Sequence, residues 1–471
     1  MIYFRTSAYN AEKTLARTIE SILNQTYGEF TYYLLDNGSN DRTGEIIRDY
    51  AKRDKRIVPF YNKRNRDYTE NPDFYFISHR LEDEDYFCIL DADDVYEPTF
   101  LEEMLKFLTE NELDIAICGS KFIDATTGKV CGEHVLQHDY VLDDAQSFEA
   151  YFPIIHWNLR QVWGKLYTAK AARAGYKATE QPDWFPNYGS DTIQVYKRVE
   201  ASERIGVYAK ALHCYTISQG SGSYRWDESR KTDDFVVFEK AKEFLEQKCG
   251  GVSGRNLSFL YDVQFNALKD TLRVLYRSDL APECKISVTK EIFRHPVTKA
   301  VFVEETMSVT KENKTEFLTG LVCQLIELAQ NVDASSLSDV FEIFSSLNVN
   351  FPRFIAEESV GWYVKMLPVV IRNIALGEYE YAMNNLIVYL GGDKETKPES
   401  DFPFVLGQML AAMREEEQKY IFFSKKLIHW CIENNQLERA RYDLNDWLKI
   451  LPEDEELKEL SKKISAFSGA K

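Results

Sequence analysis

The strongest constraint on the fold is a regular alternation of two patterns over roughly the first 120 residues. Short apolar runs, which are typical of buried β-strands, alternate with segments whose apolar residues recur at helical spacing, such as Leu15, Ile19 and Ile22. The apolar runs are Ile2–Ser7, Phe30–Leu35, Ile57–Tyr61, Tyr86–Leu90 and Asp114–Cys118. This strand–helix–strand alternation predicts an α/β domain with a Rossmann-like, mostly parallel sheet and right-handed crossovers.

Polar clusters directly follow three of these runs. They are Ser7-Ala8-Tyr9-Asn10, Asp36-Asn37-Gly38-Ser39 and Asp91-Ala92-Asp93-Asp94. In a doubly wound α/β sheet, ligands bind beyond the carboxyl ends of the strands. The clusters therefore predict a single ligand site at that edge, with side chains suited to a nucleotide.

The run Asp91-Ala92-Asp93-Asp94 places three carboxylates where they repel one another. A hard divalent cation such as Mg²⁺ or Mn²⁺ compensates such a cluster and leaves coordination positions for diphosphate oxygens. Two other interpretations fit the same residues. The aspartates are also suited to capping a helix or turn, and an apolar strand followed by this string resembles the nucleophile motif of haloacid-dehalogenase-type phosphohydrolases. In those enzymes the motif follows the first strand of the core.

The pattern changes in the second half of the chain. Residues 124–222 are irregular and rich in aromatic residues, whereas from Asp233 onward the apolar spacing is almost entirely helical. The segment from Asn435 to Trp447 resembles one tetratricopeptide-type helical hairpin, without a regular repeat period. We expect an α/β domain over residues 1–225 and an all-α region over residues 226–471, which divides near residues 340–360.

Composition limits the partners and the compartment. A length of 471 residues indicates two or three domains, and a formal net charge of −18 argues against nonspecific binding to nucleic acid. The N-terminus has neither the basic region nor the apolar stretch of a signal peptide, and no apolar window has transmembrane length. We expect a cytoplasmic protein, and a local basic patch would be compatible with peripheral association at the inner face of the membrane.

Four segments closely resemble motifs of family 2 glycosyltransferases with the GT-A fold. They are Ser7–Glu12, Ser21–Thr26, Leu35–Asp41 and Leu90–Asp94, in the order and spacing of that family. The resemblance covers residues 1–225. It implies an inverting enzyme that uses Mn²⁺ or Mg²⁺ to transfer a sugar from a nucleoside diphosphate, with UDP as the expected nucleotide. The implied acceptor is a carbohydrate, a lipid-linked or a protein-linked group in cell-surface polysaccharide biosynthesis.

The resemblance also implies roles on the donor side. The residues assigned to nucleotide-sugar binding are Ser7, Tyr9, Asp36, Asn37, Arg66, Asp91 and Ala92. Tyr9 is expected to stack on the base and Asp91 to reach the ribose or the metal, while Asp93 is the expected direct metal ligand. Arg66, with its neighbour Arg64, is either a diphosphate or base contact or a solvated loop charge. His213 is either a further metal ligand or a core histidine.

On the acceptor side, Val162–Tyr167 resembles a patch of the family that gives Trp163 and Lys165 their expected roles. Trp184, in a later loop, is either a platform for a sugar or a packing residue. Asp191 stands where the family carries its general base, which would deprotonate the acceptor hydroxyl. The alternative for Asp191 is the N-cap of a following helix.

Two departures from the family pattern matter. Asn37 replaces an aspartate that accepts the base N–H in many members, and Ser190 replaces the glutamate before the general base. A catalytically degenerate scaffold is the main alternative function, although a scaffold requires none of the retained aspartates. For the helical region, the sequence leaves packed hairpins, acceptor recognition, homo-oligomerisation and docking to a membrane-bound assembly partner open.

Overall fold

The computed structural model describes residues 1–67, 69–177, 180–217, 225–310 and 417–468, with isolated residues and pairs between 313 and 347. The chain divides into two compact units, Met1–Val274 and Leu275–Lys471. Among the described residues, no helix combines the length and the apolar character that crossing a membrane requires.

The described strands of the first unit form a ten-stranded sheet in the order β3-β2-β1-β4-β9-β6-β10-β5, with β7 paired to β6 and β8 to β10. The strands are β1 Ile2–Ala8, β2 Phe30–Asp36, β3 Ile57–Tyr61, β4 Tyr86–Ile89, β5 Val95–Tyr96, β6 Ile115–Asp124, β7 Val130–His134, β8 Tyr140–Leu142, β9 Lys165–Thr168 and β10 Ile205–Ile217. Strands β1 to β4 are parallel to one another, as are β6 and β10, whereas β9 runs antiparallel to both β4 and β6. The predicted α/β class with a mostly parallel sheet is confirmed.

Nine helices among the described residues follow or join these strands. They are α1 Leu15–Leu23, α2 Thr43–Arg53, α3 Pro72–Tyr75, α4 Phe100–Glu110, α5 Ala145–Ile155, α6 Ala169–Arg173, α7 Ser190–Glu200, α8 Arg230–Cys249 and α9 Gly254–Arg277. Helix α1 buries Leu15, Ile19 and Ile22 in the same apolar cluster as Phe4 of β1. The helical spacing of those residues therefore serves to cover the sheet, as the sequence predicts.

Asn10 and Pro98 are residue types that commonly open helices, but α1 and α4 each begin further along the chain. Asn10 does not open α1, because its backbone is left-handed (φ 50°) and its Oδ1 accepts a hydrogen bond from the N–H of Asn40 (2.9 Å). Similarly, α4 begins at Phe100, two residues after Pro98. In each case a short loop precedes the helix, and in the first case that loop joins two strand ends.

The first unit extends to Val274, beyond the boundary expected at residue 225. The physical reason is that α8 packs on α7 and α5 through aromatic contacts. Phe244 of α8 stacks on Tyr196 of α7, with ring centroids 4.6 Å apart, and lies near Phe148 of α5 at 6.4 Å. Helix α8 is therefore part of the sheet-containing unit and not of the helical C-terminal region.

The second unit is helical in its described residues, as expected. Its helices are α10 Pro282–Arg294, α11 Pro296–Val303, α12 Glu417–Glu433, α13 Leu437–Ile450 and α14 Glu455–Ser468. Helices α12 to α14 enclose an apolar core that includes Cys431, Ala440 and Leu457. The predicted hairpin around Asn435 corresponds to α12 and α13, and the predicted division near residues 340–360 lies outside the described residues.

Candidate active site

The acidic run forms a tight turn directly after β4. A hydrogen bond from the backbone N–H of Asp94 to the carbonyl of Asp91 (3.2 Å) closes the turn, and Thr18 Oγ1 donates to the carbonyl of Asp94 (2.8 Å). The side chains of Asp91 and Asp93 are accessible to solvent, whereas that of Asp94 is 1% exposed. The turn therefore presents two carboxylates outward and buries the third.

The outward carboxylates lie in an environment that disfavours negative charge. Desolvation by the surrounding protein raises the pKa of Asp91 well above its ordinary value, and the charges of Asp94, Asp191 and Asp93 raise it further. Desolvation also raises the pKa of Asp93, while the positive charge of Arg17 acts in the opposite direction. A cation beside these carboxylates would relieve their repulsion.

Asp94 connects the acidic turn to β10. Its Oδ1 accepts a hydrogen bond from the backbone N–H of Thr216 (2.7 Å), and its Oδ2 lies 3.2 Å from Nε2 of His213. Oδ2 and Nε2 are both buried and make no hydrogen bond within the described part of the chain. The His213 ring stacks on Trp163 at 4.1 Å, and its Nδ1 lies 3.0 Å from Ser120 Oγ. Burial lowers the pKa of His213 to about 3, so the ring is neutral.

Asp191 enters the site from the first turn of α7. The N-cap of that helix is Gly189, whose left-handed backbone (φ 83°) starts the helix, and not Asp191. The Asp191 carboxylate is exposed and makes no hydrogen bond with any residue that the structure describes. Desolvation raises its pKa, whereas the positive charges of Lys165, Arg198 and Arg5 favour the ionised form. Asp191 also acts on the pKa of Asp91, so both carboxylates belong to one electrostatic environment.

Lys165 and Arg198 support Asp191 from below the surface. Lys165 is 1% exposed, its Nζ donates to the carbonyls of Gln161 and Trp163, and burial lowers its pKa to about 7. Arg198 is 4% exposed, and its guanidinium lies over the ring of Tyr167 at 5.3 Å.

Arg5 is the third cation of this group and comes from the middle of β1. Burial lowers its pKa to about 10, and the negative charges of Asp191 and Asp91 oppose that shift. No motif in the sequence indicated a role in the site for Arg5 or Arg198. For Arg5 a signal was present, because a charged residue interrupts the apolar run between Phe4 and Thr6.

The residues expected to bind the nucleoside gather where β1 and β2 end side by side. The two strands are paired in parallel, with Ala8 opposite Asp36. Ser7 and Tyr9 are exposed at this edge, and 46% of Tyr9 is accessible, so its ring is free to meet a planar base. Asp36 Oδ1 accepts a hydrogen bond from the N–H of Ser39 (2.9 Å), which fixes the turn after β2.

Asn37 is held within the loops at this edge. Its Oδ1 accepts from Asn62 Nδ2 (2.8 Å), from the N–H of Arg66 (3.1 Å) and from the Tyr75 hydroxyl (3.3 Å), and its Nδ2 donates to Asn65 Oδ1 (3.0 Å). A carbonyl oxygen with three donors has no lone pair left for a base. Asn37 therefore stabilises the loops at this edge and offers no free acceptor. It accepts the backbone N–H of Arg66, which has a left-handed backbone conformation (φ 61°) and an exposed side chain.

The three residues expected on the acceptor side differ in how deeply they are buried. Trp163 is 7% exposed and Lys165 is 1% exposed, so both lie beneath the surface and support the site from inside. Trp184 is 38% exposed, and Nζ of Lys240 lies 4.1 Å from its ring centroid. Of these three residues, Trp184 is the one whose side chain is exposed to solvent.

The donor atoms around the acidic turn fit a divalent cation. Asp91 and Asp93 offer accessible carboxylates, and the unpartnered Oδ2 of Asp94 and Nε2 of His213 are ligand types that Mn²⁺ accepts. Among the described residues, no group of three or more acidic, histidine or cysteine side chains forms a ready metal cage. Mg²⁺ at phosphate sites takes one or two carboxylates and fills its other positions with water and phosphate oxygens. The residues therefore fit a cation that binds together with a diphosphate.

Comparison with known proteins shows similarity to glycosyltransferases over the first part of the chain. Residues 6–130 match the sequence model of glycosyl transferase family 2. The chain is 28% identical over 229 residues to the glycosyltransferase GlyA of Streptococcus pneumoniae, which covers 47% of this chain and 31% of that protein. It is 37% identical over 123 residues to an uncharacterized glycosyltransferase of Methanocaldococcus jannaschii, covering 25% of this chain and 41% of that protein.

These curated relatives are matched over less than half of their own length. Among solved structures, Staphylococcus aureus TarS 1–349 in complex with UDP-GlcNAc is similar over 80% of this chain and 92% of that chain, with 14% sequence identity and a TM-score of 0.41. The match to glycosyl transferase family 2, which includes the acidic run, contradicts the phosphohydrolase interpretation of that run. The topology agrees, because the run follows β4, which is not the first strand of the sheet.

Proposed function

We propose that the protein is an inverting glycosyltransferase that moves a sugar from a nucleoside diphosphate, with UDP as the expected nucleotide, to a hydroxyl group of a glycan, glycolipid or glycoprotein. In this proposal Asp191 is the general base and Asp93 is the residue that binds Mn²⁺ or Mg²⁺. The nucleotide sugar is bound at the edge formed by Ser7, Tyr9 and Asp36, with Asp91 and Ala92 nearby. The acceptor approaches from the side of Trp184, and a role in cell-surface polysaccharide biosynthesis belongs to the same proposal.

The observation that carries the proposal is the state of the Asp191 carboxylate. It is accessible, it has no hydrogen-bond donor among the described residues, and it shares an electrostatic environment with Asp91 of the acidic turn. A carboxylate that only capped a helix would have a backbone N–H partner. Unengaged lone pairs next to a donor site are what a general base for an incoming hydroxyl requires.

The electrostatics of Asp191 suit that role. A raised pKa makes the carboxylate a stronger base, while Lys165, Arg198 and Arg5 keep it ionised before the reaction. In the proposed step the acceptor hydroxyl gives its proton to Asp191 as its oxygen bonds to the anomeric carbon. The bond from that carbon to the diphosphate breaks, and its electron pair leaves with the diphosphate. Attack on the face opposite the leaving group inverts the anomeric configuration.

When bound, a divalent cation would supply charge stabilisation for the departing diphosphate. Asp93 would hold it, with Asp91 beside it, and the pKa values of both carboxylates are already raised by desolvation. The side chain of Asp94 stays in the interior, where it accepts the hydrogen bond of Thr216.

The direct test is release of the nucleotide from a panel of sugar donors. The full chain is incubated with Mn²⁺ and UDP-, GDP- and dTDP-sugars, and the freed nucleoside diphosphate is measured with and without chelator. Without an acceptor, we expect slow hydrolysis of a UDP-sugar that releases UDP. Chelator should abolish this release. A protein that binds no nucleotide and consumes no donor would instead support the degenerate scaffold.

A further inference from the structure

The start of α8 holds the loop that carries Asp191. Asp233, in the first turn of α8, is 6% exposed. Its Oδ2 accepts hydrogen bonds from the backbone N–H groups of Asn187 (3.0 Å) and Tyr188 (2.8 Å). A buried carboxylate oxygen that accepts two backbone donors makes strong, charge-assisted bonds.

Two further residues of α8 contact the same loop. The guanidinium of Arg230 lies 3.9 Å from the centroid of the Tyr188 ring. One turn after Asp233, Val237 approaches Gly189 so closely that a Cβ built on that glycine would lie 2.6 Å from Val237 Cγ2. Helix α8 therefore contacts three consecutive loop residues, and Asp191 follows two positions later.

This contact matters because the Asp191 side chain has no hydrogen bond of its own with the described residues. Its direction is consequently set by the backbone at the start of α7. Ser190 replaces the glutamate expected at that position, and Gly189 provides the left-handed turn that begins the helix. Among the described residues, Asp233 is the only hydrogen-bond acceptor of the backbone N–H groups of Asn187 and Tyr188.

We infer that Asp233, with Arg230, is a positioning residue: it fixes the loop at residues 187–189 so that the Asp191 carboxylate is held ready for the acceptor hydroxyl. The expected effect on turnover rests on the proposed function, whereas the anchoring of the loop by Asp233 does not. This anchoring also gives α8, which lies beyond the predicted domain boundary, a direct part in the acceptor side of the site.

The anchoring is tested by hydrogen exchange on the full chain. In Asp233→Ala, we expect amide exchange across residues 187–190 to become at least about tenfold faster, because two N–H groups lose their acceptor. Glu239→Gln, a change on the same helix at a residue paired with Lys242, serves as the matched control and should leave that segment unchanged. Unchanged exchange in Asp233→Ala would overturn the inference.

The kinetic consequence is tested with the same variants and the UDP-sugar consumed by the wild type. We expect Asp233→Ala to lower kcat by about 10- to 100-fold with UDP affinity unchanged, since small misplacements of a catalytic group cost that much. Asp233→Asn, which keeps an oxygen acceptor, should recover most of the loss. In an Asp191→Asn background, Asp233→Ala should cause no further loss, because the two residues act on one step.

The outcomes separate the two proposals. If Asp191→Asn keeps the wild-type rate, the proposed base is wrong while the exchange result still decides the anchoring. If Asp233→Ala lowers the rates of the wild type and of Asp191→Asn by equal factors, the effect does not pass through Asp191 and the inference fails. Should Asp233→Ala not fold, Asp233→Ser, whose hydroxyl is one atom shorter than the carboxylate, takes its place in both measurements, with a smaller change expected in the same direction.

Discussion

Asp94 Oδ2 lies 3.2 Å from His213 Nε2, and both side chains are almost completely buried. This relationship joins the acidic turn after β4 to β10. Burial raises the pKa of Asp94 well above its ordinary value and lowers that of His213 to about 3. The third aspartate of the run therefore anchors the turn to β10, and this turn leaves Asp91 and Asp93 facing outward.

The Asp94 contact predicts a contrast between two substitutions. Asp94→Ala should lower the free energy of unfolding by about 1–3 kcal/mol, because the N–H of Thr216 loses its buried acceptor. Asp94→Asn should be at least as stable as the wild type, since an amide accepts the same hydrogen bond, can donate to His213 Nε2 and removes a buried charge. Denaturant unfolding without added metal measures both. Equal stability of Asp94→Ala and the wild type would contradict this assignment.

The second prediction concerns Asp191. Asp191→Asn should lower the transfer rate by about 100-fold or more, with UDP affinity retained, because an amide does not accept the hydroxyl proton. In the wild type, kcat/KM should rise with pH through the raised pKa of Asp191, at a higher pH than the ordinary aspartate value of 3.8. The variant should lose this acid limb. Asp49→Asn, on α2 and paired with Lys52, is the control expected to leave the pH profile intact.

The third prediction concerns the metal. Chelation should abolish donor turnover, and Asp93→Asn should raise the Mn²⁺ concentration for half-maximal activity by at least about tenfold, because a neutral amide is a poorer ligand for a hard cation. The measurement is the rate of UDP-sugar turnover at increasing Mn²⁺ concentrations, in the wild type and in Asp93→Asn. Full activity of the wild type in chelator would remove the metal from the proposal.

The fourth prediction is a pH dependence of stability that arises at His156. This side chain is 6% exposed between the rings of Phe152 and Phe259, at 5.3 and 5.2 Å, and burial lowers its pKa from 6.5 to about 3. Below pH 6.5 the unfolded chain takes up a proton that the folded chain does not. Stability should therefore fall as the pH falls through this window, by about 1.4 kcal/mol per pH unit for this one group, and should be insensitive to it above the window.

The variant His156→Phe tests whether stability falls with falling pH because of this histidine. The variant cannot bind the proton, so its unfolding free energy should fall less steeply than that of the wild type between pH 6.5 and about 3. His213, whose pKa is also lowered to about 3, keeps part of the acid sensitivity in both proteins. Parallel stability curves for the two proteins, measured by denaturant unfolding at a series of pH values, would show that His156 is protonated in the folded chain as well.

Sequence periodicity was sufficient for the first part of the sheet. The five apolar runs correspond to β1, β2, β3, β4 and β6, because a strand that is buried in a parallel sheet needs a continuous apolar stretch. The polar clusters at three strand ends were also visible, since a residue directly after a buried strand is the first that water or a ligand can reach. Elements outside this pattern were not predicted, among them α5 and the long strand β10.

The sequence by itself determined the α/β class, the positions of the acidic turn and of Asp191, and the helical character of the C-terminal region. Each of these depends on short-range order along the chain: a period, a strand end or a motif. Only the tertiary structure decided that Asp94 lies inside and Asp93 outside, that Arg5, Lys165 and Arg198 act on Asp191, and that α8 holds the loop of Asp191. These features join residues that are distant along the chain, and a contact of that kind is set by how helices and strands pack, which no local pattern records.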